Sequence, residues 1–178
     1  MLWGFIGLFL VLGALMSNGG VNIMSECLKT AQSQIGTCED PPGSNADPGG
    51  SIAEYLRAGC WNRGPAPWCA AFVSWCYAQN GIFPNTASAA DLRTFAIDFG
   101  AWIPHDGSQN IPSGVVPGSY FVMDSHAGIV QSIRSDGGID TVEGNTGDCV
   151  QVVSRVSSCS RIKGFATFTK KTGSSCNG

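Results

Sequence analysis

Residues 67–77 have the sequence Pro67-Trp68-Cys69-Ala70-Ala71-Phe72-Val73-Ser74-Trp75-Cys76-Tyr77, which predicts a buried amphipathic helix with a cysteine in its first turn. Pro67 suits a helix start, where the missing N–H group costs nothing. Gly81 follows the segment and can adopt the left-handed conformation that ends many helices. A thiol at a helix N-terminus lies near a partial positive charge, which favours the nucleophilic thiolate. Cys69 is therefore a candidate nucleophile.

Two later segments supply the partners that a nucleophilic cysteine needs. His126 opens a predicted strand, and Glu143 and Asn145 lie at the end of the next one. Because alternate residues of a strand share a face, these last two side chains are expected to point the same way, and either can orient the imidazole. The order of cysteine, histidine, then acid or amide is the layout of a papain-like cysteine hydrolase, in which the histidine takes the thiol proton.

Several segments in this order resemble the CHAP family of cysteine- and histidine-dependent amidohydrolases and peptidases. They are WCAAFVSW at 68–75, HAGIV at 126–130, VEGNT at 142–146 and RIKGF at 161–165, together with 44–45 and 52–56. The resemblance covers roughly residues 24–168. It implies a papain-like fold and cleavage of amide bonds in bacterial peptidoglycan, and many members of the family come from phages. It also implies active-site roles for Glu143 and Asn145, with Glu143 favoured as the partner of the imidazole ring.

The remaining pattern predicts an α+β fold, with N-terminal helices packed on a C-terminal antiparallel sheet of about five strands. Helices are expected at about 24–35, 51–58 and 86–99, the second starting with a Ser51/Glu54 capping box. Residues 37–50 and 101–114 are predicted as loops. The strands are expected at about 120–123, 126–133, 139–143, 150–156 and 164–168.

Composition limits the classes of function. The chain has 178 residues, 43% of them hydrophobic and 13% charged, and a net charge of −3, which argues against a nucleic-acid-binding protein. It has eight cysteines but no Cys-x-x-Cys pair and only two histidines, so a zinc finger or ribbon fits poorly. Disulfides formed in an oxidising compartment fit better. No metal or cofactor is expected, although acids in the 37–50 loop (Glu39, Asp40 and Asp47) leave calcium as an alternative, as in some family members.

Residues 1–23 are predicted to be a hydrophobic signal or membrane-anchor segment with its linker, ahead of a catalytic domain at 24–170 and a tail at 171–178. Residues 2–16 are apolar, and no charged side chain precedes Glu26. A buried core helix, a secretory signal and an anchor of the signal-anchor-release kind all remain open. Fifteen helical residues extend only ~22 Å, short of the ~30 Å hydrocarbon core of a bilayer. The last two alternatives imply export or contact with a membrane.

The residue types assign further candidate roles. Cys76 is expected in the core or in a disulfide, His105 on the solvated surface, and Asn62 beside the Cys69 N–H as an oxyanion donor. Small residues at 127 and 128 are expected to let the cysteine helix approach the sheet. Trp68 and Asp124 are candidates for contact with substrate, as are Trp61 and Trp102. Proximity suggests disulfides between Cys149 and Cys159 and between Cys38 and Cys60 or Cys27, although connectivity stays open. A disulfide through Cys69 would hold the enzyme inactive.

The sequence therefore favours a peptidoglycan hydrolase that acts as a stem-peptide endopeptidase or as an N-acetylmuramoyl-L-alanine amidase. It would be exported, membrane-anchored or virion-associated, and a phage lysin is one form of this prediction. Two alternatives are a cysteine amidase with another substrate and a non-catalytic, disulfide-stabilised wall-binding domain. The expected partner is bacterial peptidoglycan, with membrane contact through residues 2–23 and no nucleic acid.

Overall fold

The computed structural model describes residues 18–156, 160–173 and 175–176. Within them the chain forms helices first and then an antiparallel sheet, which confirms the predicted α+β class. The helices are α1 (Asn18–Gln32), α2 (Ser51–Ala58), α3 (Cys69–Ala78) and α4 (Ala89–Asp98). The strands are β1 (Trp102–Pro104), β2 (Tyr120–Val122), β3 (Ala127–Ile133), β4 (Ile139–Thr146), β5 (Cys149–Arg155) and β6 (Gly164–Ala166).

The sheet has the strand order β1-β6-β2-β3-β4-β5, with antiparallel neighbours throughout. The described residues contain six strands, one more than predicted. The additional strand is β1, which lies inside the predicted 101–114 loop and pairs with β6 at the edge of the sheet. Its three residues are too few to show the alternation of apolar and polar side chains that identifies a strand in a sequence.

Helix α3 is the centre of the core. Eight of its ten residues are buried, so the predicted amphipathic pattern is wrong. The reason is that α1, α2 and α4 contact the helix as well as β3 and β4. The close approach to the sheet occurs at Gly144, where a Cβ would lie 2.6 Å from the Trp68 ring and 2.8 Å from the Phe72 Cβ. Gly128 instead leaves space for Glu143, whose Cγ would be 2.7 Å from an added Cβ.

Two predicted helix starts differ from the structure. Ser51 is the first residue of α2 and not its N-cap, and the predicted capping box does not form. The carboxylate of Asp47 caps the helix instead, because its Oδ1 accepts hydrogen bonds from the N–H groups of Ile52 (2.9 Å) and Ala53 (3.2 Å). Helix α3 begins at Cys69, with Trp68 as its N-cap, so the predicted start at Pro67 lies two residues too early.

The structure describes part of each segment predicted to flank the catalytic domain. Residues 1–17 of the predicted signal or anchor lie outside the described residues, whereas residues 18–23 belong to α1. In the described ranges, no helix combines the length and the apolar character needed to cross a membrane. The predicted tail is joined to the domain by a hydrogen bond from the Thr172 N–H to the Gly81 carbonyl (3.0 Å) and by a disulfide at Cys176.

Candidate active site

Cys69 is the first residue of α3 and is 6% exposed. Its Sγ lies 4.0 Å from the Ser125 carbonyl oxygen, next to His126 in the chain. Burial alone would raise the pKa of this thiol. Hydrogen bonding to His126, the charge of that imidazole, and the N–H groups of Ala127 and Ala70 outweigh burial and lower the pKa of Cys69 below its ordinary value. The site therefore favours a thiolate.

His126 immediately precedes β3, and its side chain is 21% exposed. Its Nε2 lies 2.7 Å from Oε2 of Glu143, which leaves Nδ1 as the ring nitrogen able to exchange a proton with the thiol. Burial alone would lower the pKa of the imidazole. Hydrogen bonds and charges from Cys69 and Glu143 reverse this effect and raise the pKa of His126 to about 9. The geometry thus favours a thiolate–imidazolium pair.

Glu143 is fully buried in β4 and is surrounded by donors. Arg155 donates from Nε to Oε1 (2.6 Å) and from Nη2 to Oε2 (2.5 Å), and the Thr141 hydroxyl donates to Oε1 (2.5 Å). Burial opposes ionisation, but His126, Arg155 and Thr141 together lower the pKa of Glu143 to about 2. The carboxylate is therefore charged beside the imidazole, as a residue that orients and stabilises an imidazolium requires.

Arg155 and Thr141 are absent from the sequence-based prediction of the site. A buried carboxylate normally needs a paired cation, and Arg155 is the only arginine or lysine in strands β3, β4 and β5. That rule could have identified it. Thr141 shares a face of β4 with Glu143, two residues away.

Asn145 does not share the direction of Glu143, so that expectation is wrong. The pairing of β4 with β5 shifts register between Glu143 and Thr146, and Asn145 has a left-handed backbone with φ of 59°. Its Nδ2 donates to Oε1 of Glu39 (2.8 Å) and to Oδ1 of Asn45 (3.1 Å). An active-site role for Asn145 stays a prediction, and its side chain contacts Glu39 and Asn45 in this structure.

Glu39 joins the strand end to the helix that carries Cys69. It is 5% exposed, and its Oε1 accepts from the Trp68 indole N–H (2.9 Å) as well as from Asn145. Its Oε2 accepts from the Asn45 N–H (2.8 Å). Trp68 is fully buried, so its side chain has no surface for substrate and that candidate role is wrong. Within the described ranges, no group of three or more His, Cys, Asp or Glu residues is arranged to hold a metal ion.

Three of the other candidates for contact with substrate line two cavities. Asn62 and Trp61 line one of about 300 Å³ between α2 and the loops at 45–48 and 61–65. Cys69 is not in its lining, so the oxyanion role of Asn62 stays a prediction. Asp124 lines a second cavity of about 320 Å³, and its carboxylate lies 3.2 Å from Lys163 Nζ. His105 is 8% exposed and its ring contacts Phe165, so the predicted surface position is wrong.

The cysteines divide into bonded and free groups. Disulfides join Cys38 to Cys149 and Cys60 to Cys176, so both predicted pairings of Cys38 and the pairing of Cys149 are wrong. Sequence proximity misleads here because the bonds span separations of 111 and 116 residues. Cys159 lies outside the described residues. The free thiols are those of Cys27, Cys69 and Cys76, all of them buried.

The three free thiols differ in their electrostatics. Burial, with a further contribution from the charge of Glu26, raises the pKa of Cys27 to about 12. Burial also raises the pKa of Cys76, in the core as predicted, well above its usual value. Only Cys69, among these three, has a histidine that lowers its pKa. The described free thiols therefore include one whose pKa is lowered and two whose pKa is raised.

Comparison with known families gives a match to the CHAP domain at residues 61–145. This chain contains a CHAP domain. The matched residues include Cys69, His126, Glu143 and Asn145, and they lie inside the 24–168 stretch that resembles the family. A comparison with curated proteins finds no match.

Two solved structures share the fold around this CHAP domain. One is the peptidoglycan hydrolase RipB from Mycobacterium tuberculosis, with a TM-score of 0.53 and 13% identity over 86% of this chain and 68% of that one. The other is a mutated form of RipA, the resuscitation promoting factor interacting protein, with a TM-score of 0.50 and 13% identity over 86% of this chain and 64% of that one. The likeness confirms the predicted papain-like α+β fold.

Proposed function

We propose that this CHAP domain is a cysteine hydrolase that cleaves an amide bond in bacterial peptidoglycan. One observation carries the proposal: a free thiol at a helix N-terminus and a charged carboxylate both act on the same imidazole. Support for the substrate comes from the family match and from the likeness to RipB, which is described as a peptidoglycan hydrolase. The two disulfides support export to an oxidising compartment.

The proposed reaction begins with attack of the Cys69 thiolate on the carbonyl carbon of the amide. A carbon–sulfur bond forms, and the carbonyl oxygen becomes an oxyanion beside the N–H groups at the start of α3. The His126 imidazolium then protonates the amine nitrogen as the carbon–nitrogen bond breaks, which leaves a thioester. The neutral imidazole next takes a proton from water, whose oxygen attacks the thioester. Loss of the thiolate releases the carboxylic acid and restores the ion pair.

Within this mechanism Glu143 and Arg155 act on the imidazole and not on the substrate. The carboxylate stabilises the imidazolium and holds Nε2, so that Nδ1 faces the thiol in both steps. Arg155 keeps the buried carboxylate ionised. The cleaved bond is proposed to lie in the stem peptide or between muramic acid and L-alanine, and the amine that His126 protonates would be the newly exposed end of the peptide.

Mass spectrometry of purified peptidoglycan after digestion tests the function and identifies the bond. New amino termini within the stem peptide indicate an endopeptidase, whereas free stem peptides indicate the amidase. Cys69→Ala should abolish the products while retaining the melting temperature. Absence of products from the wild-type protein, with wall binding retained, would overturn hydrolysis in favour of a wall-binding domain. Cleavage of small amides but not of walls would favour an amidase with another substrate.

Alkylation with iodoacetamide at neutral pH tests the activated thiol separately from any substrate. Cys69 should react with the native protein, whereas Cys27 and Cys76 serve as internal controls because burial raises the pKa of each. The sites are read by peptide mass spectrometry. Equal labelling of all three cysteines, or none at Cys69, would contradict the activation that the proposal requires.

A further inference from the structure

A cleft lies between α4 and the end of β2, on the segment that leads into His126. The cavity has a volume of about 320 Å³. Its lining includes two residues of α4, three at the end of β2 and one just before β6, namely Arg93, Ile97, Val122, Met123, Asp124 and Lys163. None of these residues takes part in the mechanism above, and Lys163 belongs to the RIKGF segment, for which that mechanism has no use.

The cleft is fixed to the backbone of the candidate general base. The N–H of Met123 donates to the carbonyl oxygen of His126 (2.8 Å), and Val122 lies opposite Ala127 in the β2–β3 register. Asp124 precedes His126 by two residues, so their Cα atoms are at most ~7 Å apart. A group bound in the cleft would therefore lie against the segment that leads into His126.

The charges of the cleft favour an anion. The lining contains two cations, Arg93 and Lys163, and one carboxylate, Asp124. The Lys163 ammonium lies 3.2 Å from Asp124, so this carboxylate balances the charge of Lys163. The Arg93 guanidinium lies 5.6 Å from the centroid of the Trp102 ring, and no carboxylate forms an ion pair with it among the described residues. A guanidinium held over an aromatic face has few conformations to lose, and its planar donors match the two oxygens of a carboxylate.

Apart from Thr94, the rest of the lining is apolar. Val122 and Met123 are buried, and Ile97 keeps 49% of its surface exposed. A short aliphatic segment that carries a free carboxylate would cover this surface and place its charge beside Arg93. A phosphate or a sugar would leave the apolar part of the cleft unused, because neither group has an aliphatic segment.

From these observations we infer that the α4–β2 cleft is a substrate subsite for an acidic amino-acid residue of the peptidoglycan stem peptide, next to the scissile amide. This inference rests on the function proposed above. It assigns Arg93 to recognition of the carboxylate and Lys163 to neutralising Asp124 beside it. It predicts that the domain distinguishes stem peptides with free carboxylates from those in which the same carboxylates are amidated.

The test uses pairs of synthetic stem peptides that differ only in one carboxylate or carboxamide, placed in turn at each position near the scissile bond. The wild-type protein should show a kcat/KM at least about tenfold higher for the carboxylate at one position, as expected for a charge-assisted pair. Arg93→Ala and Lys163→Ala should bring that ratio towards one, mostly through KM, and Arg93→Glu should favour the carboxamide. Lys170→Ala, which removes an exposed lysine elsewhere, should leave the ratio unchanged.

Three results would overturn the subsite. One is equal hydrolysis of both members of every pair by the wild-type protein, and another is a preference that Arg93→Ala and Arg93→Glu leave unchanged. The third is hydrolysis of no peptide and no wall, which overturns the proposed function and this inference together. Binding of the same pairs to Cys69→Ala protein, measured by calorimetry, provides a readout independent of turnover, and melting temperatures confirm that the variants fold.

Discussion

Two buried carboxylates lie at the candidate site, and the protein holds them in different ways. Glu143 contacts a histidine and a bidentate arginine, so its environment is ionic. Among the described residues, Glu39 accepts only from neutral N–H groups, those of Trp68, Asn145 and Asn45. We propose from this difference that the two have separate tasks. Glu143 would control a proton on the imidazole, and Glu39 would hold the strand end and the start of the nucleophile helix together.

Removal of the charge of Glu143 should have the largest effect. In Glu143→Gln an amide replaces the carboxylate that contacts His126. The imidazolium then loses its negative neighbour, and the neutral ring is no longer held in one tautomer. We expect kcat to fall on the order of 10³-fold, by analogy with the triads of other hydrolases. The measurement is the initial rate of release of soluble wall fragments.

Asp140→Asn is the matched control for this substitution. Asp140 is another carboxylate of β4 that contacts an arginine, Arg134, but it lies away from the imidazole. The control should retain wild-type kcat. Equal losses in the two variants would show that β4 stability, and not the charge beside the imidazole, determines the rate.

Arg155→Leu should have the next largest effect, and mainly on stability. It leaves the Glu143 carboxylate buried without its cation, which typically costs about 3 kcal/mol or more. Arg134→Leu, the control, removes a more exposed pair and should cost about 1 kcal/mol or less. Urea unfolding monitored by tryptophan fluorescence measures both. A smaller loss in Arg155→Leu than in the control would contradict the pairing.

The same variant has a pH signature. The folded-state pKa of Glu143, about 2, lies below its ordinary value of 4.5, so its contribution to stability is complete above pH 4.5 and is lost as the pH falls through 2. Without Arg155 the folded-state pKa rises towards 4.5, so Glu143 contributes less stability at neutral pH and this contribution is exhausted at a higher pH. Acid unfolding of Arg155→Leu should therefore start nearer to neutrality than that of the wild-type protein.

Glu39→Gln should have a smaller effect. The glutamine carbonyl can still accept from Trp68 and Asn145, but its NH₂ group then faces the Asn45 N–H and that hydrogen bond is lost. We expect a stability loss of about 1–2 kcal/mol. The decrease in kcat should be about tenfold or less, because the nucleophile helix is positioned less firmly while the charges beside the imidazole are retained. Asp40→Asn, at the exposed neighbouring residue, is the control. An unchanged rate in both variants would remove Glu39 from the positioning of the site.

The contrast between the two carboxylates also explains what the sequence could predict. The order of Cys69, His126 and Glu143 can be predicted because Cys69 and His126 lie at the starts of a helix and a strand, and Glu143 lies in the next strand. Arg155, 12 residues from Glu143, can be predicted from the need of a buried carboxylate for a cation. Glu39 cannot be predicted in either way, because its partner Trp68 is 29 residues away and the contact depends on how a loop meets the helix. Asn145 was misplaced for the same reason: a register shift breaks the alternation that its prediction assumed. Disulfides over more than 100 residues equally depend on the tertiary structure.

The pH dependence of kcat/KM should show the smallest of these effects, and it distinguishes the role of Glu143 from that of Glu39. The pKa of His126 is raised from 6.5 to about 9, so the imidazolium that protonates the leaving amine is present below pH 9 and is lost as the pH rises through that value. On the acidic side, activity falls as Cys69 takes up a proton. Because Cys69 and His126 interact, both apparent pKa values of the profile belong to this pair and not to either residue alone.

Glu143→Gln removes one of the charges that raise the His126 pKa, so the basic limb of its residual activity should move down by about one pH unit or more. Glu39→Gln should keep the wild-type midpoint even though its rate is lower, because Glu39 does not contact the imidazole. The pH profiles of the three proteins on one wall substrate decide the matter. A shift in Glu39→Gln as large as that in Glu143→Gln would mean that both carboxylates act on the proton, and the division of tasks between them would be wrong.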